Sequence, residues 1–283
     1  ASRRLSQVAG WFETWESRLS RFRPESELSQ LNARAGEVIP VSPMMWQVIQ
    51  ASLRAARISG GLVTPTVLPA LEAAGYDRSF DQMRDMERGF ASRPSPAADW
   101  REIALDPAKH TLRLPQGTRL DLGGIGKGWA AQRSVHRLRA WGATLVSAGG
   151  DIALSSSRNG LRPWSIAVAD PRDPEKDIAR LALHAGGVAT SGTDYRRWMQ
   201  GGALQHHLID PRTGAPALTD VLSATVIAPS LEMAEVAAKV VILLGSREGL
   251  AWIERRPILA GLLVLESGEQ LDSRRLTRYL WRG

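Results

Sequence analysis

The sequence predicts an α+β fold, in which helices and strands occupy separate parts of the chain. Helical periodicity fills most of the first third, whereas short segments of strand character dominate the remainder. This segregation argues against a regular doubly wound sheet, in which the two kinds of element alternate. With 283 residues, 43% of them hydrophobic and 23% charged, the chain has the composition of a globular protein.

Capping residues and apolar spacing locate the helices. Ser26 is an N-cap, and Ser42 followed by Pro43 is an N-cap with proline at the first helical position. The glycine pair 60–61 ends the helix that Ser42 begins. The predicted helices are 6–22, a short one from 26, 43–58, a short one ending at 74, 129–141, 231–244 and 247–254.

Strand patterns follow, beginning with a hairpin around the turn Asp106–Pro107. Residues 79–99 mix Arg, Asp, Ser and Pro and are interpreted as an irregular excursion. The chain contains no internal repeat and no low-complexity linker. The predicted strands are 101–105, 111–114, 120–122, 144–147, 164–169, 179–184, 205–209, 223–228 and a final pair around 262 and 271.

The charge and cysteine content exclude several classes of function. The chain has 36 Lys plus Arg, 29 Asp plus Glu and no cysteine. The missing thiols exclude disulfides, cysteine nucleophiles and thiolate metal sites. The basic excess is scattered arginine rather than a run, so no nucleic-acid partner is predicted. The longest apolar run, 258–265, is strand-sized, so no transmembrane segment is predicted and the compartment stays open.

A glycine-rich loop, residues Asp121–Gly128, lies between a predicted strand and a predicted helix. Its four glycines and the positive end of the helix favour a phosphate or pyrophosphate. The P-loop and dinucleotide patterns both fail at this position. A glycine turn shaped only for packing is the alternative. Lys127, one of four lysines in the chain, shifts the interpretation toward an anion site.

A second candidate segment is the strand and turn from His206 to Gly214. His207 lies on the opposite face from its neighbours and could act as a general base. For Asp210 an ordinary turn is the simpler interpretation, because Pro and Gly follow it at the right positions.

Two small segments and one helical pair have simpler interpretations. Residues 148–151 end a strand and 189–192 form a small polar turn, and either could be a bulge or a place where a ligand approaches the backbone. Glu235 and Lys239, spaced i, i+4, are interpreted as an ordinary surface ion pair.

These segments, in this order, resemble the ApbE family of FAD:protein FMN transferases. The resemblance runs from about residue 6 to 249, and implies one domain, residues 1–283, with two lobes. It implies an α+β fold with mixed or antiparallel sheets, flanking helices and a flavin cleft between the lobes. The matching stretches are 20–24 with 26–32, 65–66, 121–128, 148–151, 189–192 and 207–214.

The resemblance also implies the activity. ApbE proteins bind FAD with Mg²⁺, transfer FMN to a Thr or Ser hydroxyl of an acceptor flavoprotein and release AMP; some members hydrolyse FAD instead. Attack on a pyrophosphate needs charge neutralisation, a held leaving group and a base. The family is often extracytoplasmic and membrane-anchored, although no signal or anchor is recognisable in this sequence.

Position by position, the resemblance implies a role for eleven residues. His207 matches the proposed catalytic base. Implied contacts to FAD are Phe22, Leu62, Val63, Thr64, Asp121, Lys127 and Ile209. Implied at the metal are Gly124 through its carbonyl, Glu235 and Lys239.

Two of the departures of this sequence from the family affect residues of the candidate site. Val63–Thr64 stand where Phe-Asp is common. The family's metal site has Asp, then Asp or Ser, then Thr, whereas this chain has Glu235, Ala238 and Lys239. An ammonium there would repel a cation or replace part of its charge. Three hypotheses stay open: an active transferase or FAD hydrolase with an altered metal site, a flavin-binding protein without catalysis, and an anion- or nucleic-acid-binding surface protein.

Overall fold

Six α-helices and fifteen β-strands form the part of the chain that the computed structural model describes, residues 2–83, 93–156 and 162–281. The helices are α1 (Ser2–Leu19), α2 (Glu27–Ala33), α3 (Pro43–Ile58), α4 (Leu68–Ala73), α5 (Gly126–Leu138) and α6 (Leu231–Glu254). The strands are β1 (Val38–Pro40), β2 (Ala104–Asp106), β3 (Thr111–Arg113), β4 (Leu145–Ala148), β5 (Asp151–Leu154), β6 (Trp164–Ala169), β7 (Asp177–Leu183), β8 (Gly186–Gly192), β9 (Arg197–Gln200), β10 (Ala203–His206), β11 (Ile209–Asp210), β12 (Ala215–Pro216), β13 (Val221–Ala228), β14 (Ala260–Leu265) and β15 (Gln270–Asp272).

The helix starts confirm the capping predictions. Ser26 Oγ accepts a hydrogen bond from Ser29 N (3.0 Å), and Ser42 Oγ accepts one from Met45 N (3.2 Å) with Pro43 at the first helical position. Helix α6 is interrupted at Gly245 (φ 77°, ψ 174°), which agrees with the prediction of two consecutive helices. Local sequence therefore sets these boundaries.

The chain divides into two compact units, which are described separately. Unit 1 comprises Lys127–Tyr195 and Leu218–Gly283, and unit 2 comprises Ser2–Gly126 and Arg196–Ala217. The glycine-rich loop therefore belongs to unit 2 as far as Gly126, and to unit 1 from Lys127.

Unit 1 is built on a six-stranded antiparallel sheet in the order β15-β14-β13-β8-β5-β4. The hairpin β6–β7 contributes Ile166, Leu181 and Leu183 to one apolar core with the sheet. Helix α6 packs along β8 and β13. At Gly187 of β8 a Cβ atom would overlap the backbone of Leu231, so glycine is needed where the helix begins.

Unit 2 carries α1–α4 and three small antiparallel pieces of sheet, in the orders β1-β3-β2, β9-β10 and β11-β12. The hairpin predicted around Asp106–Pro107 is confirmed as β2 and β3. Its second strand also pairs with β1, which the sequence did not reveal. Among the described residues of both units, every helix falls short of the length or the apolar content that spanning a bilayer requires.

Three sequence predictions were wrong in detail. Residues 120–122 form an irregular segment rather than a strand, and 205–209 is interrupted at His207. Residues 189–192 are part of the central strand β8 and pair with β13, so they are not a turn. Alternating polarity failed there because Thr190 and Ser191 face partners inside the sheet. Residues 84–92 of the predicted excursion lie outside the described residues.

Candidate functional site

The glycine-rich loop has fewer available amides than its glycines suggest. Gly123 N donates to Asp121 Oδ1 (2.8 Å), and Ile125 N and Gly126 N both donate to Leu122 O (3.1 and 2.7 Å). Gly128 N donates to Glu235 Oε2 (3.1 Å). The expectation of an uncovered amide cradle is therefore corrected, because four of these N–H groups already bond within the protein.

Asp121 fixes the beginning of the loop. One carboxylate oxygen lies 2.8 Å from Arg21 Nε and the other accepts the Gly123 amide. The Asp121 amide donates to Pro65 O (2.8 Å), which joins the loop to the predicted segment 62–64. The preceding residue, Leu120, exchanges two hydrogen bonds with the Asn32 side chain (2.8 and 2.9 Å). Asp121 therefore has a structural role, and its contact with FAD stays a prediction.

Arg21 was not identified from the sequence, although it organises this part of unit 2. Its Cζ atom lies 4.1 Å from the centre of the Phe22 ring and 4.8 Å from that of Tyr76, and Nη2 donates to Tyr76 O (2.7 Å). The Tyr76 ring packs against Trp198. Guanidinium stacking on aromatic faces of this kind is typical of arginine and not of lysine. Only a tertiary contact between distant segments could reveal it.

Two predicted flavin contacts border this aromatic cluster. Phe22 is 38% exposed and packs against Tyr76 at a centroid distance of 5.8 Å. Ile209 is buried in the same apolar cluster as Tyr76 and Trp198. The structure therefore brings Phe22, Ile209 and, through Arg21, Asp121 into one neighbourhood of unit 2.

The segment 62–64 has mixed exposure. Leu62 and Val63 are half-buried, and the Val63 amide is fixed by Ser59 Oγ (2.9 Å). The Thr64 hydroxyl is buried and hydrogen-bonds that of Thr66 (2.8 Å), which also donates to Ala98 O (2.7 Å). Thr64 is thus engaged inside the protein, whereas Leu62 and Val63 keep accessible side-chain surface for a ligand.

His207 lies in the bend between β10 and β11 and is half-buried. The neighbouring His206 turns back on the chain: its Nδ1 accepts from Leu208 N (3.3 Å), and its Nε2 lies 3.0 Å from Ala217 O. These partners require the neutral tautomer of His206 with the proton on Nε2. His206 is accordingly a structural residue, and the role of His207 as base stays a prediction.

The turn after β11 is held by a charged pair and by a close backbone contact. Arg212 grips Asp210 with two side-chain nitrogens, at 2.9 Å from Oδ1 and 2.7 Å from Oδ2. Burial would raise the pKa of Asp210, but hydrogen bonds from Arg212 outweigh it and the pKa is lowered. Gly214 has φ +74°, and a Cβ atom there would overlap Ser95 O. The turn interpretation of this motif is therefore sufficient for Asp210.

In unit 1, Lys127 stands at the first turn of α5 with its side chain 45% exposed. Its Nζ lies 3.2 Å from Oδ2 of the buried Asp151, whose other oxygen accepts from Thr190 N (3.2 Å). Thr190 Oγ1 in turn hydrogen-bonds Thr225 Oγ1 (2.8 Å). The sequence motif 148–151 includes Asp151, but the sequence did not assign a role to this residue. The pair with Asp151 anchors the Lys127 ammonium while the lysine side chain stays partly exposed.

Glu235 is the most buried charge of the candidate site, with its side chain 1% exposed. Oε2 accepts the Gly128 amide, and Oε1 lies 3.1 Å from Lys239 Nζ, which is 15% exposed. Burial raises the pKa of Glu235, and the Lys239 ammonium opposes that shift. The interpretation of this pair as an ordinary surface ion pair was wrong, because both side chains lie inside the packing of α6.

The residues around Glu235 do not fit a magnesium ion. Mg²⁺ requires oxygen ligands at about 2.0–2.1 Å, yet both Glu235 oxygens already accept from nitrogen donors, one of them an ammonium. The described residues contain no group of three His, Asp or Glu side chains that could hold a metal. Gly124 lies in the unit 2 part of the loop, and its carbonyl as a metal ligand stays a prediction.

A family model described as the ApbE family matches residues 3–263. A Treponema pallidum protein named FAD:protein FMN transferase is 30% identical over 280 residues, covering 92% of this chain and 76% of its own length. An Escherichia coli K12 protein of the same name is 27% identical and covers 90% and 74%.

Solved structures agree with this match. The ApbE protein of Thermotoga maritima superposes with a TM-score of 0.88 at 25% identity, over 99% of this chain and 92% of its own. The flavinyl transferase ApbE of Pseudomonas stutzeri, at 24% identity and a TM-score of 0.81, covers 100% and 89% and supports the fold alone.

Proposed function

Because this chain belongs to the ApbE family, we propose that it is an FAD:protein FMN transferase. A Thr or Ser hydroxyl of an acceptor flavoprotein attacks the phosphorus on the FMN side of the FAD pyrophosphate. The new oxygen–phosphorus bond forms as the bond to the AMP phosphate breaks, and AMP leaves. The hydroxyl proton passes to a base on the protein. The names of the curated relatives support the flavin transfer.

The observation that carries the proposal is the placement of Lys127 on the glycine-rich loop. An exposed ammonium at the first turn of the 13-residue helix α5 adds to the positive end of the helix dipole. Asp151 pairs with the lysine ammonium and leaves 45% of the lysine side chain exposed. Such an arrangement suits the charge that develops on a pyrophosphate during attack. Lys127 would hold the phosphates and His207 would take the proton.

The flavin end of FAD has a separate candidate surface in unit 2. Phe22 presents an exposed aromatic ring braced by Arg21 and Tyr76, and aromatic faces stack on planar ligands. Leu62 and Val63 offer apolar surface of the kind that lines ligand sites. We assign the isoalloxazine contact to Phe22 and a supporting role to these two side chains.

Magnesium, when bound to a pyrophosphate, neutralises its charge. Because the surroundings of Glu235 do not fit the ion, we give it no place at that carboxylate. This disagreement favours a second candidate function, a flavin-binding protein that no longer turns FAD over. FAD hydrolysis, in which water replaces the acceptor hydroxyl, is the third outcome that an assay must separate.

The test is incubation of the purified chain with FAD, Mg²⁺ and a Thr-containing acceptor domain. AMP is measured by chromatography, and the acceptor mass is checked for one added FMN. A modified acceptor with equimolar AMP supports transfer, and AMP with free FMN identifies a hydrolase. Bound FAD without AMP under any divalent metal would overturn the proposal and leave a binding protein.

Two substitutions assign the roles. His207→Ala should lower kcat by about 100-fold or more, as expected for a lost general base. Lys127→Met should raise the KM for FAD by about tenfold, the loss of one charged contact to phosphate. His136→Ala and Lys176→Met remove exposed residues of the same types and serve as controls with wild-type kinetics. If the His207→Ala variant had the kcat of the wild type, His207 would not be the catalytic base.

A further inference from the structure

The resemblance implied a metal at Glu235 and Lys239, yet the Lys239 side chain itself places a cation beside this carboxylate. Lys239 Nζ lies 3.1 Å from Glu235 Oε1, one helical turn away on α6. The carboxylate is 1% exposed and the ammonium 15%, so neither group is merely resting on the surface. A buried pair of this kind keeps its geometry because separating it would leave an uncompensated charge.

The backbone around the pair leaves little freedom to rearrange. Gly128 N holds the second oxygen of Glu235, and a Cβ atom at Gly128 would overlap that oxygen. The start of α6 is tied down by Leu231 N, which donates to Gln132 Oε1 (2.9 Å), and by its close approach to Gly187. The carboxylate is therefore held directly by α5 and by its own helix, and β8 packs closely against the start of that helix.

The charges close to Glu235 already balance. Asp151 and Lys127 act on it electrostatically in addition to Lys239. Two carboxylates and two ammonium groups sum to zero, so a divalent cation would add two uncompensated positive charges beside buried carboxylates. The added ion would also have to displace a nitrogen donor from a Glu235 oxygen.

We infer that Lys239 is the resident cation of this site, and that the chain binds no divalent metal at Glu235. The inference rests on the proposed function and adds a detail to it. The negative charge of the FAD pyrophosphate would be neutralised by lysine ammonium groups instead of by a metal at this carboxylate. Replacing Lys239 by Thr should free Oε1, supply a hydroxyl oxygen and create a metal site where none existed.

The experiment measures metal binding to the full chain by electron paramagnetic resonance, with Mn²⁺ alone as the probe and no FAD present. Lys239→Thr should bind one Mn²⁺ at least tenfold more tightly than the wild type. The double variant Glu235→Gln/Lys239→Thr, which keeps the hydroxyl and removes the carboxylate, should lose that gain. Lys239→Arg keeps a cation and should resemble the wild type.

The thermal midpoint gives a second readout. Mn²⁺ should raise the Tm of Lys239→Thr and leave the wild type and the double variant unchanged, since only a ligand bound to the folded state stabilises it. A folded Lys239→Thr that gains no Mn²⁺ overturns the inference. So does stoichiometric binding by the wild type that disappears in Glu235→Gln.

If Lys239→Thr does not fold, the wild type decides. Crystals soaked in Mn²⁺ should show no anomalous scattering peak within about 2.5 Å of the Glu235 oxygens, near the upper limit of metal–oxygen distances. A peak at that place contradicts the inference. Because none of these measurements involves turnover, their outcome is independent of whether AMP is formed, and failure of either proposal can be recognised separately.

Discussion

The two carboxylates that anchor the glycine-rich loop are held in similar ways by very different cations. In unit 2, Asp121 accepts the Gly123 amide and faces Arg21 at 2.8 Å. In unit 1, Glu235 accepts the Gly128 amide and faces Lys239 at 3.1 Å. The same loop is therefore fixed near its beginning and at its end by a carboxylate, a backbone amide and a basic side chain.

The difference lies in what supports each cation. Arg21 is stacked on two aromatic rings and donates to a carbonyl, so its position is set by contacts other than the carboxylate. Lys239 has a flexible stem, and its position depends on the charge of Glu235. The Arg21–Asp121 pair is therefore supported by other contacts of the arginine, whereas the Lys239–Glu235 pair depends on mutual neutralisation of two charges inside the protein.

The largest effect should come from breaking the lysine pair. Lys239→Met leaves the buried Glu235 charge without its partner and should lower the free energy of unfolding by about 3 kcal/mol at pH 7. Glu235→Gln/Lys239→Met removes both charges and should recover most of that loss. Urea unfolding of the wild type, Lys239→Met, Glu235→Gln and the double variant measures the coupling between the two side chains. Equal losses in the single and the double variant would show that the pair is not a mutual neutralisation.

Alanine substitutions at the two ends of the loop should have smaller effects on stability, and these effects should differ in size. Gly128→Ala forces a Cβ atom into Glu235 Oε2 and should cost about 1–3 kcal/mol of stability. Gly123→Ala brings its Cβ to 3.0 Å from Asp121 Oδ1 at an exposed position and should cost less than about 1 kcal/mol.

Gly126→Ala is the matched control for this pair, because a Cβ atom there meets nothing within 4 Å. Its stability should stay within about 0.5 kcal/mol of the wild type. Thermal unfolding of the three alanine variants gives the ranking. If Gly123→Ala proved the most harmful, the tighter anchor would be the one at Asp121.

The smallest expected effect concerns the pH dependence of stability, to which Asp210 and Glu235 should contribute with opposite sign. The net pKa of Asp210 is lowered, so its contribution to stability is present above about pH 4 and is lost as the pH falls through the folded-state pKa. The pKa of Glu235 is raised, so its contribution is present below about pH 4.3 and is lost as the pH rises through the folded-state pKa.

Substitution of each group should therefore flatten a different part of the stability profile. Asp210→Asn should reduce the loss of stability at acid pH, by less than about 1 kcal/mol because Arg212 is more than half exposed. The variant Glu235→Gln/Lys239→Met should instead reduce the loss on raising the pH above the unfolded-state value. Urea unfolding between pH 3 and 8 measures both, and a shared direction of change would contradict the assigned pKa directions.

The sequence by itself determined the features that depend on neighbours along the chain. Ser26 and Ser42 begin helices because each side chain accepts an amide three residues ahead, and Gly245 breaks α6 because it takes a positive φ. The motifs that carry the family resemblance are likewise local, which is why the α+β class and the family were predictable before any contact was known.

Only the tertiary structure decided what each motif residue is bonded to. Nothing in the spacing of the glycines indicates that Glu235, 107 positions away, accepts a hydrogen bond from the Gly128 amide. No local pattern pairs Arg21 with Asp121 across 100 positions of sequence. A strand such as β8 was mistaken for a turn because its polar residues find partners on neighbouring strands. The i, i+4 spacing of Glu235 and Lys239 is the same on the surface and in the interior of a protein. Only the tertiary structure shows that this pair is buried, where each charge neutralises the other.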